Sequence, residues 1–204
     1  EQHSPVLSAI QSTPSGDGLI AHFPFSGNAG DVSGHENNGT VRGAVLSTDR
    51  LGDANSSYLF NGSSHDIAIG DNHFPTGNAA RTIAGWVKAD ANSTGDNSIL
   101  FYGRQGSAQG LRLDINGDGQ LEASNYGTLE LDGNRTLKDG LWHHVAYSYD
   151  GSGSARLYVD GQLEANATGW VMNTNGRSAG DYHVLVTNGA GTQISSGLAT
   201  VTVI

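Results

Sequence analysis

The chain has 204 residues, a formal net charge of −10 and 30 glycines. Gly, Ser (21), Asn (16) and Thr (14) together supply 81 residues. Gly costs about 1 kcal/mol per helical position, and Ser, Asn and Thr compete for the backbone, so bundles, coiled coils and helical repeats are disfavoured. An apolar fraction of 36% in short patterned runs argues against disorder. Lys and Arg total 10 against 20 Asp and Glu, with no basic run, so no nucleic-acid partner is expected. No apolar stretch reaches the roughly 20 residues that span a bilayer as a helix, so no membrane insertion is expected. The absence of Cys removes disulfides, thiolate zinc sites and a cysteine nucleophile.

Residues 1–17 read as a flexible leader with neither the basic nor the apolar region of a secretion signal. After it, strand-like runs alternate with turn clusters. They fall at Leu19–Phe25, Ile67–Ile69, Thr82–Lys88, Ile99–Tyr102, Leu111–Ile115, His143–Tyr149, Ala155–Val159, Tyr182–Thr187 and Leu198–Val203. Their spacing predicts an all-β, antiparallel two-sheet sandwich or jelly roll. In RLYV-DG-QLEA, Asp160-Gly161 has the residue types of a type I′ hairpin.

Alternation assigns faces. Leu157 and Val159 oppose Arg156 and Tyr158; Ile83 and Val87 oppose Ala84 and Trp86; Val145, Tyr147 and Tyr149 oppose Trp142, His144 and Ala146. Trp86 and Trp142 therefore do not automatically belong to the aliphatic face; each can line a groove or be covered by a loop. Near residue 170 the composition shifts to NTNGRSAGD followed by two simple strands. Two strands cannot form an independent core.

Four stretches together, GLIAHFPFSGNAGDVSGHENNGTV, LGDANSSYLFNGSSHDIAI, RTIAGWVKAD and DGLWHHVAYSYDGSGSARLYVDGQLEA, resemble the laminin-G-like, concanavalin-A-like jelly rolls of bacterial extracellular proteins across roughly residues 18–168. The resemblance implies two antiparallel sheets, one concave, often a structural calcium, and a binding or spacing role at the cell surface or outside the cell. The family's closing segment is missing. Residues 171–204 instead resemble the last strands of a bacterial immunoglobulin-like repeat, which either complete the jelly roll of residues 18–170 or belong to a second domain. By resemblance, a calcium sits at Asp31, Asn37, Asn38 and Gly39, with Asp66 contributing.

A second metal candidate is Asp114-Ile115-Asn116-Gly117-Asp118-Gly119, whose Asp114, Asn116 and Asp118 match the opening of an EF-hand loop. Its twelfth position is Asn125 rather than Glu, and its flanks alternate as strands, so a hairpin turn in NGDG is the favoured reading. His143-His144 point to opposite faces of a strand and cannot readily share one ion.

No strand carries ExDxxE, and GxSxG, HExxH and P-loop patterns are absent, so no catalytic residues are assigned. For glycan binding, Tyr102, Arg104, Tyr126, Trp86 and Trp170 are candidates by residue type, with packing the favoured role of Trp86 and Trp142. The expected function is a non-catalytic extracellular module recognising a polysaccharide or cell-surface glycan, with a structural calcium. A spacer between neighbouring domains of a larger chain is the alternative, and a polysaccharide-degrading enzyme the third.

Overall fold

The computed structural model describes residues 18–70, 73–103, 110–125, 129–171, 184–187 and 190–202. Among them there is no helix, and fifteen strands follow one another in the chain. These are β1 (Leu19–His22), β2 (Thr40–Arg42), β3 (Val45–Ser47), β4 (Ser57–Asn61), β5 (Asp66–Ile69), β6 (Arg81–Lys88), β7 (Asn97–Gly103) and β8 (Gly110–Ile115). The remainder are β9 (Gln120–Ser124), β10 (Glu130–Thr136), β11 (Trp142–Tyr149), β12 (Ala155–Val159), β13 (Gln162–Ala167), β14 (Val184–Thr187) and β15 (Ala190–Thr202).

The strands make two antiparallel sheets. The first, of eight strands, runs β13-β12-β11-β6-β15-β4-β3, with β1 also on β15; the second, of seven, runs β10-β9-β8-β7-β14-β5-β2. The all-β jelly roll expected from the spacing is the observed architecture. The two C-terminal strands enter different sheets: β14 lies between β5 and β7, and β15 between β4 and β6.

Inward-facing positions of both sheets supply the core. Tyr147 and Leu157 from the first sheet meet Ile67, Leu113 and Leu121 from the second, all completely or almost completely buried. Each obeys the period-2 pattern of its strand, so the faces assigned by alternation hold for β6, β11 and β12. The Asp160-Gly161 hairpin forms with Val159 opposite Gln162. Its φ angles, +49° and +77°, are the two positive values a type I′ turn requires.

At one end of the sandwich the outermost strands of the two sheets are tied by side chains. Arg135 on β10 places Nη2 2.9 Å from Glu164 Oε1 on β13 and Nη1 3.0 Å from Asp160 Oδ2. The Asn134 side-chain amide donates to the Glu164 carbonyl at 2.8 Å. Charged edges of this kind also discourage edge-to-edge pairing with another chain.

Candidate functional site

The outward face of the first sheet is built from paired residues on neighbouring strands. Trp86 on β6 lies directly opposite His144 on β11, and Lys88 lies opposite Trp142. One pair further along, Ala84, Ala146 and Tyr158 form a row over β6, β11 and β12; next come Thr82, Ser148 and Arg156. Directly opposed residues in antiparallel strands share a face, so these side chains stand together on the solvent side. Ala84 and Ala146 are small, which leaves a low floor between Trp86 and His144 on one side and Ser148 and Arg156 on the other.

Trp86, Trp142, His144 and Tyr158 are half-buried, so their rings remain reachable. The loop after β3 adds Arg50, whose guanidinium lies 4.4 Å from the centre of the Trp86 ring. The His144 ring meets the Trp86 ring edge-on at 5.4 Å. Burial pushes the His144 imidazole below its ordinary value; Arg50 adds to this and Asp160 opposes it. A neutral His144 can both donate and accept hydrogen bonds.

The outward face of the second sheet has a different chemistry. Ser98, Asp114, Glu122 and Asp132 form one row across β7, β8, β9 and β10, and Phe101, Arg112, Ser124 and Glu130 form the next. Three carboxylates in one row repel each other. Arg112 offsets this, pairing with Asp114 through Nε and reaching Glu122 at 3.4 Å and Asp96 at 3.3 Å through Nη2. Ser98 Oγ donates to Asp114 Oδ1 at 2.6 Å. Asp114 has no exposed surface, and burial pushes its carboxyl up to about 6 against the pull of Ser98 and Arg112. Glu122 is also raised, by burial first and then by Asp114 and Asp132.

The Asp31 loop is a hydrogen-bonded corner. Asp31 Oδ1 accepts from the amides of His22 and Ser33, both at 2.9 Å. Its Oδ2 accepts from Ser33 Oγ at 2.8 Å and the Asn37 amide at 2.9 Å. Four donors occupy the four lone-pair sites of a carboxylate. Asn38 Oδ1 accepts from the Asp31 amide, and the Asn37 side chain donates to the Ile20 carbonyl. Gly39 is packed so closely that a Cβ would meet Ile67 and Ala29. Asp66 stands on β5, 3.4 Å from Arg42 Nε. Calcium needs six to eight free oxygen ligands, and this donor set does not fit it: the residues hold the chain to β1 themselves. Among the described residues no three His, Cys, Asp or Glu side chains are grouped to hold a metal ion.

The EF-hand likeness at Asp114 is corrected in favour of the turn. Asn116-Gly117-Asp118-Gly119 joins β8 to β9, with the Asn116 amide donating to Gln120 O at 2.9 Å and the Gly119 amide to Asn116 O at 2.9 Å. Asn116 Oδ1 accepts from the amides of Asp118 and Gln120, so it braces the hairpin. Asp114 points to Ser98 and Arg112 on the sheet face.

Two ligand candidates are also corrected. Tyr102 and Trp170 are core residues, 2% and 1% exposed. Tyr102 packs against Phe74, and Trp170 lies against Tyr147 with its carbonyl accepting from Tyr149 Oη at 3.2 Å. Arg104 and Tyr126 fall outside the described residues. Trp86 stands on the outward face, as its alternation requires. His143 and His144 do diverge: His143 is buried between Asp139 and Asp160, and His144 joins Trp86. Trp142 and Tyr158 were legible as off the aliphatic face, but nothing in the sequence pointed to Arg50, whose loop reaches Trp86 only in three dimensions.

Comparison with known proteins agrees with the fold. Residues 61–197 match the laminin-G-type family described as the concanavalin A-like lectin/glucanases superfamily. No curated protein matches the sequence. Among solved structures, the binding domain of Paraclostridial Mosquitocidal Protein 1 superposes with a TM-score of 0.72 at 14% identity, covering 92% of this chain and 49% of that one. The botulinum neurotoxin serotype D ligand binding domain in complex with N-acetylneuraminic acid gives 0.67 at 17% identity, over 92% and 48%. Domain 4 of AbnA, a GH43 extracellular arabinanase from Geobacillus stearothermophilus, in complex with arabinotriose, gives 0.64 at 20% identity, over 89% and 94%. This chain thus spans about half the length of the toxin domains and nearly all of the arabinanase domain. At these identities the likeness is one of fold.

Proposed function

Because the chain belongs to the concanavalin A-like lectin/glucanases superfamily, we propose that it is a non-catalytic carbohydrate-binding module acting outside the cell. The carrying observation is the outward face of the first sheet, where Trp86, His144 and Tyr158 border the low floor of Ala84 and Ala146 and Trp142 stands one row beyond His144. Aromatic rings offer flat apolar surfaces to the C–H faces of a sugar ring. His144, Thr82 and Ser148 offer hydrogen bonds to its hydroxyls. A mainly apolar surface with a few placed polar groups is the usual make-up of a small-ligand site. The likeness to an arabinanase domain solved with arabinotriose, in an extracellular enzyme, supports both the ligand class and the location.

Binding without turnover is the reading the carboxylates favour. Asp114 and Glu122 are directly opposed on the second sheet, but Arg112 bridges them and Ser98 occupies Asp114. A glycosidase needs one carboxyl free as acid and the other free as nucleophile or base.

A glycan array followed by titration calorimetry tests the function. The expected result is a binder at sub-millimolar affinity, lost in Trp142→Ala and Tyr158→Ala at unchanged melting temperature, with no release of reducing sugar. Absence of any binder across the array would leave the spacer role; reducing-sugar release would restore the enzyme.

A further inference from the structure

The described residues include eight Lys and Arg side chains in a chain of net charge −10. Three of them, Arg42, Arg112 and Arg135, are paired with carboxylates. Lys138 donates to the carbonyls of Gly95 and Gly117 near Asp96 and Asp118. Arg81 is buried, with its guanidinium on the carbonyls of Gly77 and Ala79. That leaves Arg50, Lys88 and Arg156 without a carboxylate partner.

All three belong to the outward face of the first sheet: Lys88 opposite Trp142, Arg156 opposite Ser148 and beside Tyr158, and Arg50 over Trp86. The outward positions of β6, β11 and β12 hold no Asp or Glu. Asp160, at the hairpin beyond, is already engaged by His143 and Arg135. The outward rows of the second sheet carry Asp114, Glu122, Asp132 and Glu130 against Arg112. The two faces are thus opposite in sign.

Arg50 is the most specific of the three. Its Nε is enclosed with no acceptor among the described residues, and its guanidinium carbon lies over the indole. A guanidinium over an aromatic ring loses water from one side and, with Nε enclosed, is left its Nη N–H groups to meet a carboxylate or a sulfate.

We propose that this face takes a saccharide bearing an anionic group, a carboxylate or a sulfate, held by Arg50, while Lys88 and Arg156, three rows apart at opposite ends of the face, make its surroundings positive. The sugar ring rests against the aromatic rings bordering the alanine floor and the anion meets Arg50, so neutral glycans bind more weakly and the acidic second sheet repels the same ligands. The proposal rests on the glycan-binding function above and adds the ligand's charge to it.

The test is an array holding neutral glycans beside their sialylated, uronate-bearing and sulfated counterparts, followed by calorimetry on lactose, sialyllactose and sulfated lactose. The expected outcome is a preference for the anionic members that weakens with added salt; the array arms separate carboxylate from sulfate. Arg50→Gln should reduce anionic binding roughly fivefold, the scale of one exposed charge contact, and lower the preference for anionic over neutral glycans, with Lys88→Gln acting in the same direction by less. Arg42→Gln, on the other sheet, should alter neither, and melting temperatures check folding. Equal or better binding of the neutral glycans overturns the proposal and leaves the carbohydrate function standing. No binding anywhere on the array overturns both.

Discussion

The Asp160 carboxylate reaches 2.9 Å from His143 Nδ1 while Asp160 itself opens the hairpin between β12 and β13 in the left-handed region, at φ +49°. One residue thus sets the turn and ties it to β11. Its Oδ1 accepts from the His144 amide at 2.9 Å, and Arg135 binds Oδ2. Burial would raise this carboxyl, but the hydrogen bonds from His143 and the His144 amide outweigh it and hold it below the usual range.

Two substitutions separate the turn from the carboxylate. A Cβ on Gly161 meets nothing within 4 Å, so Gly161→Ala should cost only the left-handed backbone, about 1–2 kcal/mol. Asp160→Gly relieves the turn yet removes all three carboxylate contacts. A net loss of about 1 kcal/mol is expected after solvent screening. Denaturant unfolding of both variants measures this, and a neutral Asp160→Gly would show that the turn alone holds the corner.

Asp31 should behave as a structural acid. Asp31→Ala removes four hydrogen bonds from His22, Ser33 and Asn37 and should cost about 2–4 kcal/mol. Millimolar calcium should leave the melting temperature of the unsubstituted protein unchanged, because the carboxylate is occupied. Stabilisation by several degrees that Asp31→Ala abolishes would overturn this and return the loop to metal binding.

Asp114 should give stability an unusual pH dependence. Its folded carboxyl titrates near 6, raised from 3.8 mainly by burial. Between those values the folded protein holds a proton that the unfolded chain has released. Stability from this group is therefore complete below pH 3.8 and is lost as pH rises through about 6. Full loss corresponds to at most about 3 kcal/mol. Asp114→Asn keeps an acceptor for Ser98 and should flatten this slope. Asp31 and Asp160, both lowered, act with the opposite sign, losing stability as pH falls. They are present in both proteins, so the stability difference between the parent and Asp114→Asn, measured from pH 4.5 to 7.5, isolates Asp114. A difference that stays constant with pH would sink the assignment.

Much of the fold was legible because alternation is a local property. Leu157, Val159, Ile83, Val87, Val145 and Tyr147 are inward wherever their strands pair. β2, β3, β4 and β10 were not among the strand-like runs; in β2 and β3 three residues, such as Thr40–Arg42, carry too little alternation to stand out from a turn-rich background. The inward turn of Arg81 was equally hidden. A guanidinium reads as solvent-facing until the carbonyls of Gly77 and Ala79 are seen to receive it.

The candidate site divides along the same line. Residue type alone grouped Tyr102, Trp170 and Trp86, but an aromatic side chain packs a core as readily as it lines a groove, and only burial sorts them. Aspartate was ambiguous for the same reason: the carboxylate that could hold a cation at Asp31 is equally able to accept four protein N–H and O–H donors.

Composition, period-2 alternation and the Asp160-Gly161 dipeptide determined by themselves that this chain is a turn-rich antiparallel sandwich, and which side of β6, β11 and β12 meets the core. Those are properties of backbone conformation and neighbouring residues. Tertiary structure decided the rest. Lys88 stands opposite Trp142, and Ser98, Asp114, Glu122 and Asp132 form one row, only because strand register brings together positions distant in sequence, and the loop after β3 carries Arg50 over Trp86. Register is a long-range choice, and it set an aromatic, basic face on one sheet and an acidic face on the other.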